Sequence, residues 1–165
     1  MASAALRPMR EDEYHAWYQK AVADYAKDHA AAGNWSAAEA LERSKKEFSG
    51  LLPQGLASPG QHLYSIVDPD CEGSVGMLWF AERGAPETPH AFIYDIVVWE
   101  GQRGKGYGKG AMLALEPIVR ALGLRRIGLH VFGTNETAIR LYERTGYHAT
   151  NVLMSKDLDE TARPS

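Results

Sequence analysis

The first third of the chain carries aromatic side chains at the spacing of an α-helix. Tyr14, Tyr18 and Tyr25 are four and seven residues apart, so a helix would place them on one face. The pattern predicts a helix over residues 11–32, which the Gly33-Asn34 pair ends. These aromatic residues are expected to pack in the core and between helices.

Beyond this helix, shorter apolar runs alternate with turn residues. Ser36 is predicted to cap a second helix, with Glu39 as its capping-box partner, and the Pro- and Gly-rich residues 51–60 are predicted to form a loop. The other predicted elements are strands near 5–9, 62–67, 75–81, 91–98, 125–132 and 147–157, and helices over 111–122 and from about 134. The order β-α-α-β-β-β-α-β-α-β predicts one α+β domain over 1–165, with a mixed, largely antiparallel sheet flanked by helices.

Composition narrows the function classes. The chain has 165 residues and a net charge of −3, and its lysines and arginines are not gathered into one basic run, so neither a nucleic acid nor a membrane is an expected partner. The first residues lack the pattern of a secretory signal, which makes a cytoplasmic location the expectation. Cys71 is the single cysteine and the histidines show no ligand spacing, so no disulfide and no metal are expected.

A glycine-rich loop carries the most specific signal. Residues 102–110 read Gln-Arg-Gly-Lys-Gly-Tyr-Gly-Lys-Gly, between an apolar strand-like run and a predicted helix. Glycines let the backbone approach a phosphate, while a helix N-terminus and the flanking cations attract negative charge. The loop is therefore predicted to hold a pyrophosphate.

Spacing separates three kinds of phosphate loop. A Walker loop would need Ser or Thr after Lys109, where the chain has Gly110. A dinucleotide fingerprint fits Gly106-x-Gly108-x-x-Ala111, but no carboxylate lies in the next predicted strand, 125–132. The third pattern is [QR]-x-x-G-x-[GA], which Arg103, Gly106 and Gly108 match.

A second motif identifies the third pattern. Residues 135–147 follow N-x-x-A-x-x-[LF]-Y-x-x-x-G-[FY], beginning at Asn135 and including Tyr142. Together, in this order and with one strand between them, the two motifs resemble the GCN5-related N-acetyltransferase (GNAT) superfamily, especially its small stand-alone bacterial members. The resemblance covers roughly residues 91–158.

The resemblance implies acetyl-CoA as cosubstrate, bound by motifs within 91–158, and an acceptor side walled by the helices and loop of 11–60. The acceptor would be a primary amine on a small molecule, peptide or protein, and a homodimer is a common outcome in the family. The implied coenzyme-binding residues are Ile96, Val97, Val98, Arg103, Gly104, Lys105, Gly106, Tyr107, Gly108, Lys109, Gly110, Asn135 and Tyr142.

Catalytic roles follow from the resemblance and from side-chain chemistry. The tyrosine that matches Tyr142 in the family protonates the departing thiolate. His130 is one candidate for the general base, since a histidine titrates near neutral pH. Asp95 is the second candidate, followed by His90 and Tyr94, and a base that acts through water is also open.

Two further alternatives concern the chemistry as a whole. Cys71 lies in an acidic turn that would raise its thiol pKa, so direct attack in a ternary complex is preferred to a covalent acyl-enzyme. Asn135, or its neighbour Thr134, could simply cap the last helix. The domain could also bind an acyl-CoA without turning it over, and a dinucleotide oxidoreductase is disfavoured by the missing carboxylate.

Overall fold

The structure is a computed structural model that describes residues 3–159, so the outermost residues of the predicted 1–165 domain lie outside the described range. In chain order the elements are β1 Ala5–Pro8, α1 Glu11–Ala31, α2 Ala40–Leu51, β2 Gln61–Val67, β3 Ser74–Arg83, β4 His90–Val98, α3 Tyr107–Ala121, β5 Ile127–Leu129 and α4 Glu136–Arg144. Short 3₁₀ turns occupy Gly55–Ala57 and Glu100–Gln102.

One five-stranded sheet organises these elements. Its strand order is β1-β2-β3-β4-β5. Neighbouring strands from β1 to β4 are antiparallel, whereas β4 and β5 are parallel because α3 crosses over between them. The predicted α+β class and its mixed, largely antiparallel sheet are confirmed.

Helices cover both faces of the sheet, and each face has its own apolar cluster. On one face α3 contributes Met112 and Leu115, which pack with Phe80 of β3. On the other face Trp17 of α1 and Phe48 of α2 pack with β3 and β4. A strand covered on both faces reads as a continuous apolar run, as the buried stretch 75–81 of β3 does.

The sequence prediction of a final strand over 147–157 is wrong for the described structure. Residues 151–157 follow α4 without forming a helix or a strand, and they are exposed. Alternating apolar residues give a segment the propensity to form a strand, but a strand exists only where a second strand lies alongside it. The predicted strand over 125–132 is likewise reduced to the three residues of β5.

Two helix starts also differ from the prediction. The second helix begins at Ala40, and its N-cap is Glu39 rather than the predicted Ser36, with no side-chain cap. Residues 37–39 form a turn before it. The third helix begins at Tyr107, inside the glycine loop and earlier than the predicted 111. Glycines have low helix propensity, which makes the start of such a helix hard to predict.

Candidate active site

The parallel pair β4–β5 separates partway along its length. The two strands pair from Ala91 opposite Ile127 to Ile93 opposite Leu129. β5 ends there, whereas β4 continues to Val98. In the part of the chain that the structure describes, no strand covers this side of β4 beyond Ile93, so its backbone N–H and C=O groups face an opening.

A β-bulge turns the side chains at the same point. Trp79 of β3 pairs with Asp95, and the next residue, Phe80, pairs with Ile93, so Tyr94 is an extra residue on β4. Bulges bend a strand and re-aim its side chains. Here the bulge brings Asp95 opposite Trp79, whose side chain belongs to the cluster under α1.

The predicted catalytic residues converge on a cavity in this opening. The cavity measures about 140 Å³. Asp95 comes from the bulge, His130 is the residue immediately after β5, and Tyr142 comes from α4. The complete lining is Ile93, Tyr94, Asp95, Ile96, Leu129, His130 and Tyr142. His90, the other candidate base, does not line the cavity. A wider depression of about 740 Å³ along α2 shares none of these lining residues.

Asp95 is the one carboxylic acid among the residues that line this cavity. Burial raises the pKa of its carboxyl to about 6 by making the charged form costly, and the nearby charge of Asp24 acts in the same direction. The Trp17 indole N–H and the Ile96 backbone N–H act in the opposite direction, since both favour the carboxylate. Trp17 Nε1 is buried and has no fully formed hydrogen bond, so its dipole supports Asp95 only partly.

Tyr142 and His130 have different environments. Burial, and then the charge of Asp95, raise the pKa of the Tyr142 phenol, so it stays protonated at neutral pH. The Tyr142 ring packs against Tyr147, with 5.9 Å between centroids. His130 is exposed, and its ring packs edge-to-face with the ring of Phe132, with 5.3 Å between the ring centroids. The cavity therefore has a protonated phenol on its inner wall and an imidazole at its rim.

The glycine loop leads from the end of β4 into α3. Gly104 and Gly106 have φ angles of 78° and 90°, in the left-handed region that favours glycine. Gly106 is the N-cap of α3 and makes no side-chain cap, so the first N–H groups of the helix lack a side-chain acceptor. Arg103 Nε donates to the Val98 carbonyl at 3.1 Å, which joins the loop to the end of β4.

Two of the predicted loop residues face the protein interior rather than the space in which a ligand would bind. The Tyr107 side chain is buried, and its hydroxyl donates to Asp68 Oδ2 at 2.6 Å. A Cβ at Gly110 would lie 2.7 Å from the Cβ of Ala4. Only the backbone of these two loop positions is left for a ligand, whereas Gly104 faces open space, with nothing within 4 Å of a Cβ there.

Helix α4 begins as its motif indicates. Asn135, rather than Thr134, is the N-cap, and its Oδ1 accepts the Ala138 N–H at 3.2 Å. The capping interpretation of Asn135 therefore holds in the structure, and a contact with the coenzyme stays a prediction.

Two contributors to the site carry no functional signal in the sequence. Trp17 packs in the core beside the tyrosines of α1, and it also acts on Asp95. Asp68 carried no signal, because the residue that it binds, Tyr107, is 39 positions away in the chain. A buried polar pair between such distant residues forms only when the chain folds.

Within residues 3–159, no helix is long and apolar enough to cross a membrane. The same residues contain no group of three or more His, Cys, Asp or Glu side chains arranged to hold a metal ion.

Comparisons with known proteins identify the family of this chain. The model of the Acetyltransferase (GNAT) family matches residues 9–147. The uncharacterized N-acetyltransferase YycN of Bacillus subtilis is 42% identical over 155 residues, covering 93% of this chain and 97% of YycN. The crystal structure of YycN matches with a TM-score of 0.85 and 40% identity, over 96% of this chain and 100% of that one.

A second relative and a further solved structure are less similar to this chain. The uncharacterized N-acetyltransferase YdgE of Bacillus subtilis is 35% identical over 153 residues, covering 93% of this chain and 97% of YdgE. The structure of AAC(6')-Iy in complex with the bisubstrate analogue CoA-S-monomethyl-acetylneamine has a TM-score of 0.64 and 14% identity, over 96% of this chain and 99% of that one. At that identity the likeness to AAC(6')-Iy shows a shared fold alone.

Proposed function

The chain belongs to the acetyltransferase (GNAT) family, and from that premise we propose that it transfers an acetyl group from acetyl-CoA to a primary amine by direct attack in a ternary complex. One observation carries the proposal. A carboxyl with a raised pKa and a protonated phenol line the same small cavity, beside the unpaired stretch of β4. A group that can accept a proton and a group that can donate one, placed at the same cavity, are typical of acid–base catalysis.

Asp95 is proposed as the general base. A primary amine is mostly an ammonium ion at neutral pH and must lose a proton before it can attack. With a pKa of about 6, the carboxyl is ionised at pH 7 and yet basic enough to accept that proton. Its negative charge also attracts the ammonium form to the cavity. His130, exposed at the rim, is the alternative base.

Tyr142 is proposed as the general acid. When bound, acetyl-CoA supplies the acetyl group as a thioester. The carbon–nitrogen bond forms and the carbon–sulfur bond breaks, and Tyr142 donates its hydroxyl proton to the departing sulfur. Of the two protons that the ammonium loses, Asp95 passes one to solvent, and the other restores the Tyr142 hydroxyl. A backbone N–H of residues 97–98 on the open side of β4 is proposed to stabilise the negative charge that develops on the carbonyl oxygen.

The residues of the loop suit the coenzyme's pyrophosphate. The left-handed backbone at Gly104 and Gly106, the open space above Gly104 and the start of α3 combine exposed backbone with a positive helix end. Lys105 is exposed, with its Nζ donating to Gln102 Oε1 at 3.0 Å, and supplies a full charge nearby. We assign pyrophosphate binding to the backbone of this loop, with Lys105, Lys109 and Arg103 as the cations.

The test measures acetyl-CoA cleavage with a panel of primary amines, for wild type, Asp95→Asn, Tyr142→Phe and His130→Gln. Loss of thioester absorbance is preferable to a thiol reagent, because Cys71 is a free, exposed thiol. We expect amine-dependent cleavage in wild type, with kcat/KM falling below about pH 6 as the base is protonated. Asp95→Asn should lose most of kcat at every pH. His130→Gln should still show the fall of kcat/KM at low pH.

Coenzyme binding separates the outcomes. Tyr142→Phe should bind acetyl-CoA like wild type and show a lower kcat. If Asp95→Asn keeps wild-type kcat and His130→Gln loses it, the base is His130 and our assignment is wrong. If the wild-type protein binds acetyl-CoA but does not cleave it in the presence of any amine of the panel, it would be a binding module rather than an enzyme.

A further inference from the structure

The face of the sheet under α1 and α2 is only partly covered by these helices. The apolar cluster on this face includes Trp79 of β3 and Tyr94 of β4, but it includes no residue of β5. The part of the face toward β5 is therefore left outside the cluster. It lies beside the small cavity, since Tyr94 belongs to the cluster and also lines the cavity.

Arg83, the last residue of β3, lies on this uncovered part. Its guanidinium carbon is 4.8 Å from the centre of the Phe92 ring and 5.9 Å from the centre of the Tyr94 ring. The residue is exposed, and within residues 3–159 no carboxylate forms an ion pair with it. A guanidinium stacked on aromatic rings keeps the N–H groups at its edge free to bind a carboxylate with two hydrogen bonds.

The β-bulge places Asp95 on the same face. Asp95 lies opposite Trp79, and residues directly opposite each other on antiparallel strands point to the same face of the sheet. Tyr94 also points to this face, because its ring stacks on Trp79 with 4.7 Å between centroids. Along this face, the rings of Phe92 and Tyr94 therefore lead from the guanidinium of Arg83 to the carboxyl of Asp95.

The start of β5 adds a second positive charge at the Arg83 end. Ile127 packs in the cluster on the opposite face, so its neighbour Arg126 points to the face of Arg83. The Arg126 carbonyl accepts the Ala91 N–H at 2.9 Å, and Arg83 pairs with the preceding residue, His90. Both arginines thus lie near the beginning of β4, whereas Asp95 lies farther along the same strand.

We propose that the acceptor is a primary amine that also carries a carboxylate. Its amine lies at Asp95, its hydrocarbon part covers the rings of Phe92 and Tyr94, and its carboxylate binds Arg83. This inference rests on the proposed acetyl transfer and names the chemical class of the acceptor. The charges of such a molecule complement those of the surface at both ends, whereas an acceptor with a second positive charge would be repelled by Arg83 and Arg126.

The separation of the two charged groups limits the length of the acceptor. The Arg83 guanidinium is 5.9 Å from the ring of Tyr94, and Asp95 is the next residue, so the two groups are on the order of 10 Å apart. A hydrogen bond of about 2.9 Å at each end takes up part of this distance. The amine and the carboxylate should therefore be joined by a short carbon chain, as in β-alanine, γ-aminobutyrate and δ-aminovalerate.

The first experiment compares each of these three compounds with the alkylamine that has a methyl group in place of the carboxylate, such as γ-aminobutyrate with n-butylamine. For at least one pair we expect kcat/KM to be about tenfold higher with the carboxylate. Arg83→Gln should bring this ratio close to one, and Arg83→Lys, which keeps the charge but not the two-pronged geometry, should give an intermediate ratio. Arg120→Gln, at an exposed arginine in the last turn of α3, is the matched control and should keep the wild-type ratio.

The second measurement is titration calorimetry of the same pairs, which needs no turnover. If amines are acetylated but the ratio is near one for every pair, or if it survives Arg83→Gln, the inference about the carboxylate is wrong and the acetyl transfer stands. If no amine is acetylated but wild type binds a carboxylate compound more tightly than its alkylamine, and Arg83→Gln does not, the acetyl transfer is wrong and the carboxylate site stands. No acetylation together with equal affinities, or with no binding of either compound, would overturn both.

Discussion

Replacing Asp95 by Asn should make the protein more stable and inactive. The carboxyl has an ordinary pKa of 3.8 when exposed and a pKa of about 6 in the folded protein, because burial disfavours its charge. Each whole step in pKa is about 1.4 kcal/mol, so the ionised carboxylate costs the folded state up to about 3 kcal/mol at neutral pH. Asn keeps the size and the oxygen that accepts the Ile96 N–H, but carries no charge.

The pH dependence gives the prediction its sign. Between pH 3.8 and about 6 the folded protein binds the Asp95 proton more tightly than the unfolded chain does, so stability falls as pH rises through this window. The cost is absent below it and complete above it. The stability gap between Asp95→Asn and wild type should therefore be near its full size at pH 7.5 and about half as large at pH 5. Glu13, whose pKa is lowered to about 2 by Arg7 despite its burial, is common to both proteins and cancels in the difference.

Urea unfolding followed by circular dichroism measures this gap, since Trp17 fluorescence would itself respond to the change at Asp95. Both proteins are compared at one concentration, because association shifts apparent stability. Asp28→Asn, at an exposed aspartate of α1, is the matched control and should leave the free energy of unfolding unchanged within about 0.5 kcal/mol. An Asp95→Asn protein that is no more stable than wild type at pH 7.5, or a gap that is equal at pH 5 and 7.5, would refute the burial argument.

Three other substitutions test the surroundings of the site. Asn135→Ala removes the α4 cap and should cost about 1 kcal/mol in urea unfolding. Gly110→Val forces a side chain against Ala4 and should cost about 1–3 kcal/mol, read as a lower Tm. Tyr107→Phe breaks the bond that ties the start of α3 to Asp68 and should raise the KM for acetyl-CoA several-fold with little change in kcat.

Each of these three has its own control. Asn135→Asp keeps a capping oxygen and should stay close to wild type in stability. Gly104→Ala is the comparison for Gly110→Val, because the added methyl group is strained by the φ of 78° but meets no neighbouring atom. We expect Gly104→Ala to lower the affinity for acetyl-CoA and to lower the Tm less than Gly110→Val does. For Tyr107→Phe, the comparison is Tyr147→Phe, which removes a buried hydroxyl that has no hydrogen-bond partner among the described residues. A rise in KM of equal size in both would show that the Asp68 contact is irrelevant.

Local features were predictable because their physical causes are local. The repeat of Tyr14, Tyr18 and Tyr25 specifies one face of α1, and the glycines of 102–110 specify a loop that leads into α3. Phosphate binding by that loop stays a prediction. Asn135 follows the preference of helix N-caps and does cap α4. The order of the elements up to α4 follows from the same short-range signals.

The final strand shows where such signals fail. Residues 147–157 have the composition of a strand, but the described chain gives them no strand to pair with. Pairing depends on which edge is free and on where the chain is anchored at Tyr147, and neither can be read from the segment itself.

By itself, then, the sequence determined the fold class, the glycine loop and the identities of the candidate acid and bases. Only the tertiary structure decided where those groups meet and how their pKa values are shifted. The bulge at Tyr94 and the early end of β5 open the cavity, and burial beside Trp17 of a distant helix sets the pKa of Asp95. Periodicity and turn chemistry reflect forces between residues a few positions apart, whereas burial and electrostatic environment arise only when remote segments of the chain are packed together.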